Sequence, residues 1–343
     1  MNPKRIAKFR QIVGSCGEFF AILISQLDPD AIGAAVLLRV VLESLGKKAD
    51  IYYAGKISQL NQALFNIFEL DKSFTPIPNQ LPAHYTLALD DSSMLEDKRL
   101  GSLGKINPKI VIDHHRSDLR ESDETWIENQ SMGSAASIAA DLLLSLGKDL
   151  DPEEQVNLST YGKEATLGAL GITSDTDAFE APETTDLDRQ MFAALMEKGD
   201  QESFTAARKY SLPDRYYSIW QNVLATEKRA HSTLVASGGF IAEEEKDYLA
   251  RISNKLMRWK GVTLVIVWAI VDDENLTVKA RTNDPSLDLN ELLKKKFGQT
   301  HAGAKPRAGG AERPLEALKP TATSRAHLLA FFDAKMADTF LHN

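Results

Sequence analysis

The residue this chain has least of is cysteine, with one, Cys16, in 343 residues. No disulfide can form within it and no thiolate-built zinc centre can assemble, so a reducing compartment is expected. Long apolar runs are also missing. None approaches the roughly 20 residues of a membrane span. The opening MNPKRIAKFRQIV reads as a short basic amphipathic helix, without the apolar core and small-residue cleavage site of a signal peptide. A soluble, cytoplasmic protein with no membrane partner is the expectation. Excess positive charge is absent as well: 40 Lys and Arg stand against 48 Asp and Glu, a formal net charge of -8. That disfavours wrapping of long nucleic acid, which needs many cationic phosphate contacts, but leaves room for a local basic pocket. There is no G-x-x-x-x-G-K-[ST] phosphate loop, no G-x-S-x-G elbow, no internal repeat and no low-complexity segment.

What is present is an alternation. With 43% hydrophobic residues the chain can build ordinary cores, and its length favours two domains. Phe19–Ser25 reads as a strand, Ala31–Leu45 as a helix closed by Gly46, Asp50–Tyr53 as a strand and Gln59–Phe68 as a helix. His84–Leu89 and Lys109–Ile112 are apolar runs ending in acids, and Gly133–Leu146 is a helix ended by Gly147. This order predicts an α/β domain with a parallel sheet covered on both faces, its ligands beyond the carboxyl ends of the strands. Residues 152–230 read as helices: Glu153–Thr173, Leu187–Lys198, Gln201–Tyr210 and Asp214–Arg229. A second, smaller α/β unit follows. It has strands at Thr233–Ser237, Gly261–Val271 and Leu276–Thr282, and helices at Lys246–Arg258, Leu289–Phe297 and Ser324–Phe340. Residues 298–313, rich in Gly, Ala and Arg, read as a loop. The expected boundaries are 1–190 for the first domain, 191–230 for a helical linker and 231–343 for the second. Trp126 and Trp259 are read as core or boundary residues rather than exposed stacking platforms.

The chemistry gathers at the strand ends. The segment V-I-D-H-H-R places Asp113, His114, His115 and Arg116 where an apolar strand surfaces. Asp28 and Asp30 follow the first strand, Asp90 and Asp91 follow another, and Asp175 lies in T-S-D-T-D. A parallel sheet brings such ends to one edge. Carboxylates gathered there without cations repel one another, and burying them unpaired is costly. Divalent metal resolves both problems, and mixed oxygen and imidazole donors suit Mn²⁺, Mg²⁺, Fe²⁺ or Zn²⁺. Taken singly, a D-x-D after a strand is an ordinary turn or cap, with Asp30 a candidate cap for the helix that follows.

D-P-D-A-I-G, the strand-end Asp, D-H-H and G-I-T-S-D-T-D-A-F over residues 24–179 together resemble the DHH phosphoesterase superfamily. V-K-A-R-T-N-D and D-L-N-E-L-L-K-K-K-F-G in the second half resemble its accompanying DHHA1 domain. Within the superfamily the pattern is most similar to RecJ-like two-domain enzymes, oligoribonucleases of very short RNAs and phosphatases of 3′-phosphoadenosine 5′-phosphate. The resemblance implies a site in the cleft between the domains, with two divalent ions, Mn²⁺ foremost. Asp28, Asp30, Asp90, His114 and Asp175 would be the ligands. His115 and Asp113 would be catalytic, one at the scissile phosphate and the other orienting an imidazole. Arg116, Arg281, His301 and Arg307 would hold substrate, with Lys279 and Lys305 adding to the basic wall. The implied partner is a small nucleotide or a short single-stranded oligonucleotide. A homodimer is compatible with the apolar helix faces.

Three positions depart from that pattern. Ile24 stands where the family has a metal-binding histidine, with Gln26 the nearest substitute. Asp177 replaces the glycine of D-T-G, and G-Q-T-H at residues 298–301 lacks two glycines of a G-G-G-H loop. Three functions are therefore weighed: a metal-dependent phosphoesterase, a degenerate-site module that binds nucleotide or nucleic acid with little turnover, and the same fold reshaped at Asp177 and the lost glycines for a cyclic dinucleotide, polyphosphate or another phosphate compound.

Overall fold

The run F-F-A-I-L-I forms β1 (Phe19–Ile24), almost wholly buried, as a strand flanked on both sides in a parallel sheet must be. The computed structural model describes residues 1–24, 27–89, 107–115, 120–129, 132–149, 158–318 and 324–341. The chain divides into two units, one of Met1–Ile57 with Asn61–Tyr210 and one of Ser58–Leu60 with Ser211–Asn343.

The first unit runs α1 (Pro3–Ser15), β1, α2 (Pro29–Ser44), β2 (Lys48–Tyr53), α3 (Gln59–Phe68), β3 (Phe74–Pro76), β4 (Thr86–Leu89), β5 (Ile110–Asp113) and β6 (Trp126–Asn129). Helices α4 (Ala135–Asp149), α5 (Gly162–Asp175), α6 (Asp186–Met196) and α7 (Gln201–Arg208) follow. Every strand pairing is parallel, in the order β3-β2-β1-β4-β5-β6. The chain works outward from β1 to β3, returns to β4 beside β1, and continues to β6. Connections leave the carboxyl edge in opposite directions at β1 and β4, which is where such sheets open a crevice. Side chains alternate along β1. Phe20, Ile22 and Ile24 enter the large core with α2, α4 and α5, while Ala21 and Leu23 join Val111 and Ile127 on the other face.

Two helices approach closely enough to bring sequence-distant acids together. A Cβ on Gly33 of α2 would stand 2.8 Å from the Leu167 carbonyl oxygen of α5. One on Gly171 of α5 would stand 2.9 Å from the Pro29 carbonyl oxygen and 3.0 Å from the Asp30 Cα. Real Cβ atoms do not sit that close, so glycine is what permits the contact. Since α2 begins at the D-P-D turn and α5 ends at Asp175, the same contact joins the two acidic ends.

The second unit holds α8 (Asp214–Thr226), β7 (Lys228–Ala230), β8 (Thr233–Ile241), α9 (Lys246–Leu256), β9 (Leu264–Val271), β10 (Asn275–Thr282) and α10 (Leu289–Phe297). It closes with β11 (Ala302–Ala304), β12 (Ala308–Pro314), α11 (Leu315–Leu318) and α12 (Arg325–Leu341). Its sheet is mixed, ordered β11-β12-β10-β9-β8-β7, with β8 and β9 parallel and the other pairs antiparallel. Leu293, Phe297, Phe332 and Phe340 cover one face, and Ile219, Val223, Leu249 and Ile252 the other.

Several expected boundaries are corrected. Residues 298–313 are not a loop but carry β11 and β12. Their small residues read as loop composition, yet they are small because neighbours close in. A Cβ on Gly309 would meet the Ala304 Cβ at 2.5 Å, and one on Gly310 the Val278 carbonyl oxygen at 2.8 Å. The helix expected from Glu153 begins, within the described residues, at Gly162, after a 3-10 turn over Leu158–Tyr161. A side chain at Gly162 would stand 3.2 Å from the Lys198 carbonyl oxygen. Helix α4 runs on through Gly147, where nothing lies within 4 Å of the place a methyl group would take, so the glycine costs only its intrinsic ~1 kcal/mol. Helix α8 stops at Thr226 because Lys228–Ala230 pairs with β8 as an edge strand. Strands β3 and β6, of 3 and 4 residues, are too short for periodicity to reveal. Among the described residues no helix is long and apolar enough to cross a membrane.

Candidate metal centre

The two acids of D-P-D do different jobs. Asp28 caps its own helix: Oδ1 accepts the Ala31 N–H at 2.9 Å, with Pro29 in the first turn. Asp30 does not cap α2. It is buried, and its two oxygens accept the consecutive N–H groups of Ala135 (2.8 Å) and Ala136 (2.9 Å) at the start of α4. The next donor of that helix, Ser137 N–H, goes to Ser134 Oγ at 3.1 Å. The positive end of α4 therefore holds the Asp30 carboxylate in place. The turn is also tied at Leu27, whose carbonyl accepts from the buried Asn61 side-chain amide.

His114, just past β5, completes a cluster. Its Nε2 lies 3.2 Å from Asp175 Oδ2 and 3.7 Å from Asp30 Oδ2. One donor atom from each of Asp30, His114 and Asp175 falls within 4.8 Å of the others. The Nδ1 of His114 faces the Met132 carbonyl oxygen at 3.4 Å, which leaves Nε2 aimed at the acids. Burial pushes the Asp30 carboxyl well above its usual range, and Asp175 and Asp28 push it the same way, against the pull of the Ala136 and Ala135 N–H groups. A divalent cation fits this set. Donors about 2.1 Å from an ion stand roughly 3 Å apart when cis and 4.2 Å when trans, which brackets the spacings here, and two carboxylates with one imidazole suit Mn²⁺, Fe²⁺ or Zn²⁺.

Beside the cluster, the buried Asp113 turns to the next residue. Its Oδ1 accepts the His115 backbone N–H at 2.7 Å and lies 3.1 Å from His115 Nδ1. The His115 side chain is 44% exposed, against 7% for His114, so two adjacent imidazoles have separate environments. Their ring centroids are 4.1 Å apart.

Asp90, Arg116 and Gln26 lie outside the described residues. Ile24 is fully buried in the main core. The side chain that departs from the resembled pattern is thus core packing and offers no donor. Asp177, Ala178 and Phe179 all take left-handed backbone, at φ 46°, 54° and 72°. The turn after Asp175 thus adopts a conformation that favours glycine with no glycine in it, a strain of about 1 kcal/mol per residue. In the second unit Arg281 donates from Nε to Asn254 Oδ1 and from a terminal nitrogen to the Ala280 carbonyl oxygen at 2.8 Å. Arg307 lies next to it: its carbonyl oxygen accepts the Thr282 N–H at 3.0 Å. The sheet does not bring His301 to the same end. Its carbonyl oxygen accepts from Glu312, four residues along β12 from Ala308, the partner of Arg281. Trp126 is core, and Trp259, 40% exposed, carries the Arg229 guanidinium 3.4 Å above its ring. The clamp from Ala135 and Ala136 was not anticipated from sequence. Gly133-Ser134 ahead of an apolar run marks a helix start, but not which acid its N–H groups will meet.

No protein-family profile matches the chain. An uncharacterised protein of Methanocaldococcus jannaschii is 27% identical over 301 residues, 87% of this chain and 58% of that protein. A probable manganese-dependent inorganic pyrophosphatase of Deinococcus radiodurans is 28% identical over 169 residues, 49% of this chain and 50% of that protein. The chain thus spans about half the length of these relatives. The crystal structure of an exopolyphosphatase-related protein from Bacteroides fragilis matches with a TM-score of 0.70 at 14% identity, over 100% of this chain and 98% of that one. That likeness shows the fold, a parallel α/β unit followed by a smaller mixed-sheet unit, which is the fold class expected from the sequence.

Proposed function

We propose that the protein is a divalent-metal-dependent phosphoesterase acting on a small nucleotide phosphomonoester or a short oligonucleotide. The observation that carries this is the donor cluster of Asp30, His114 and Asp175 beside the Asp113–His115 pair. The manganese-dependent pyrophosphatase among the relatives favours Mn²⁺. The chemistry a divalent ion supplies in such a set is Lewis acidity, which makes water nucleophilic at neutral pH and offsets charge on phosphoryl oxygens. Asp30, His114 and Asp175 would hold it. Asp113 fixes the His115 ring, whose far nitrogen, on the exposed side chain, donates a proton to the leaving oxygen. Arg281 and Arg307, neighbours at one end of the second unit's sheet, would bind phosphate or base together with Arg116, and His301, at the other end, is left out of that set. A second ion would draw on Asp28 and Asp90 and would be held more weakly, because Ile24 contributes no donor.

The buried Ile24 also favours the second reading, a site that binds nucleotide but turns over slowly. Mn²⁺ titration by calorimetry into metal-stripped protein, with hydrolysis assays on 3′-phosphoadenosine 5′-phosphate and short RNAs, separates the two. Metal binding with phosphate or nucleotide release that Asp113→Ala removes supports the enzyme. Tight nucleotide binding without release supports the binding module. No metal binding at all ends the proposal.

A further inference from the structure

Behind the cluster lies a buried carboxylate with no assigned chemistry. Asp188, in the first turn of α6, is fully buried. Its Oδ2 accepts the Thr185 N–H and Thr185 hydroxyl, both at 2.7 Å, while Thr185 Oγ1 accepts the Asp188 N–H at 3.3 Å. That is a local capping box. The same Oδ2 also accepts the Gly133 N–H at 3.0 Å, from 55 residues earlier in the chain. A cap does not require this second partner. Nor does it require burying the other oxygen, Oδ1, which has no hydrogen-bond partner among the described residues.

The Gly133 N–H belongs to the peptide whose carbonyl, that of Met132, faces His114 Nδ1 at 3.4 Å. A trans peptide is planar, with N–H and C=O pointing opposite ways. Holding the N–H from one side therefore aims the oxygen at the imidazole on the other. Only glycine allows it: a Cβ at 133 would stand 2.6 Å from Thr176 Cγ2 and 2.9 Å from Asp188 Oδ2. We propose that Asp188 is a positioning residue that acts through the Met132–Gly133 peptide to hold His114 in the tautomer with hydrogen on Nδ1 and Nε2 open to a metal ion. A carboxylate polarises the peptide it bonds, and the partner of one imidazole nitrogen sets the state of the other. The inference rests on the reading of His114 as a metal ligand.

The test uses ¹⁵N-histidine-labelled, metal-stripped protein at pH 8 for the His114 tautomer, and Mn²⁺ calorimetry for affinity. Wild type is expected to carry hydrogen on Nδ1, whether or not Nε2, 3.2 Å from Asp175 Oδ2, is protonated as well. Asp188→Asn moves the population toward the other tautomer and weakens Mn²⁺ at least about tenfold, the usual scale for outer partners of a ligand. Thr185→Val breaks the capping box, lowers stability, and leaves both tautomer and affinity unchanged. A wild-type ring with hydrogen on Nε2 and none on Nδ1 overturns the assignment. So does Asp188→Asn with native tautomer and affinity, or Thr185→Val moving them equally. An unfolded Asp188→Asn beside a folded Thr185→Val makes Asp188 structural and overturns it too. If wild type binds no Mn²⁺, the metal-site reading falls, while the tautomer comparison still decides what Asp188 does.

Discussion

Replacing Gly171 by alanine should damage the candidate metal centre from a position that offers it no atom. Gly171 lies inside α5, where alanine is intrinsically better than glycine by about 1 kcal/mol. Its new methyl would meet the Pro29 carbonyl oxygen at 2.9 Å, the Asp30 Cα at 3.0 Å and the Ala136 Cβ at 3.0 Å. None of these is the free end of a flexible side chain. Ordinary carbon contacts begin near 3.5 Å, so α5 and the D-P-D turn must part by roughly half an ångström or more. Overpacking of this kind costs about 1–3 kcal/mol, which leaves a net loss of roughly 0–2 kcal/mol once the helix gain of about 1 kcal/mol is set against it. The larger effect falls on the donors. Asp30 moves with one side of the gap and Asp175 with the other, and metal sites tolerate only about 0.2 Å. Mn²⁺ affinity should fall about tenfold or more, the scale seen when the supports of a ligand are removed. Gly147→Ala is the control: nothing lies within 4 Å of that methyl position, so it should gain about 1 kcal/mol and keep native affinity. Urea unfolding of metal-free protein and Mn²⁺ calorimetry read both quantities. If Gly171→Ala matches Gly147→Ala in both, the account of a glycine-dependent contact holding the site together is wrong.

Three further outcomes are expected. Asp30→Ala leaves the Ala135 and Ala136 N–H groups without their acceptor; it should abolish Mn²⁺ binding and lower metal-free stability by about 1–3 kcal/mol, whereas unchanged stability would deny the clamp any energetic weight. Asp113→Ala frees the His115 ring and should lower kcat about a hundredfold with Mn²⁺ affinity nearly native, so a parallel loss of metal would place Asp113 among the ligands' supports instead. Arg281→Ala should raise KM about tenfold, the scale of one charge-assisted hydrogen bond, with Mn²⁺ affinity untouched. A change in kcat alone would remove Arg281 from substrate binding.

Much of the frame could be read from residues. Helices α3 and α10 fall on their expected residues, Gln59–Phe68 and Leu289–Phe297, because periodicity and flanking turn residues are local signals. So were the acids ending β1 and β5, since an apolar run that stops at a carboxylate marks a surfacing strand. The division of labour in D-P-D was not local. Asp28 takes the cap that Asp30 was expected to fill, and Asp30 answers to N–H groups 105 and 106 residues away. The strands at Ala302–Ala304 and Ala308–Pro314 were hidden for a different reason. Glycine and alanine make a loop where nothing presses on them and a tight strand where neighbours do, and composition does not separate the cases. At Ile24 the missing donor was visible in the sequence, but its complete enclosure by core is a property of the sheet face.

The way Asp30 is held bears on the order of events in folding. Its carboxylate is gripped by backbone N–H groups of α4, while its companions His114 and Asp175 arrive from the end of β5 and the end of α5. Segments so far apart meet only after the loops between them have closed and the helices have docked. An ion therefore has no site to occupy in early chain conformations and cannot act as a nucleus. It should leave the refolding arm of a chevron where it is and lower the unfolding arm, a brake on the way out of the native state rather than a guide on the way in.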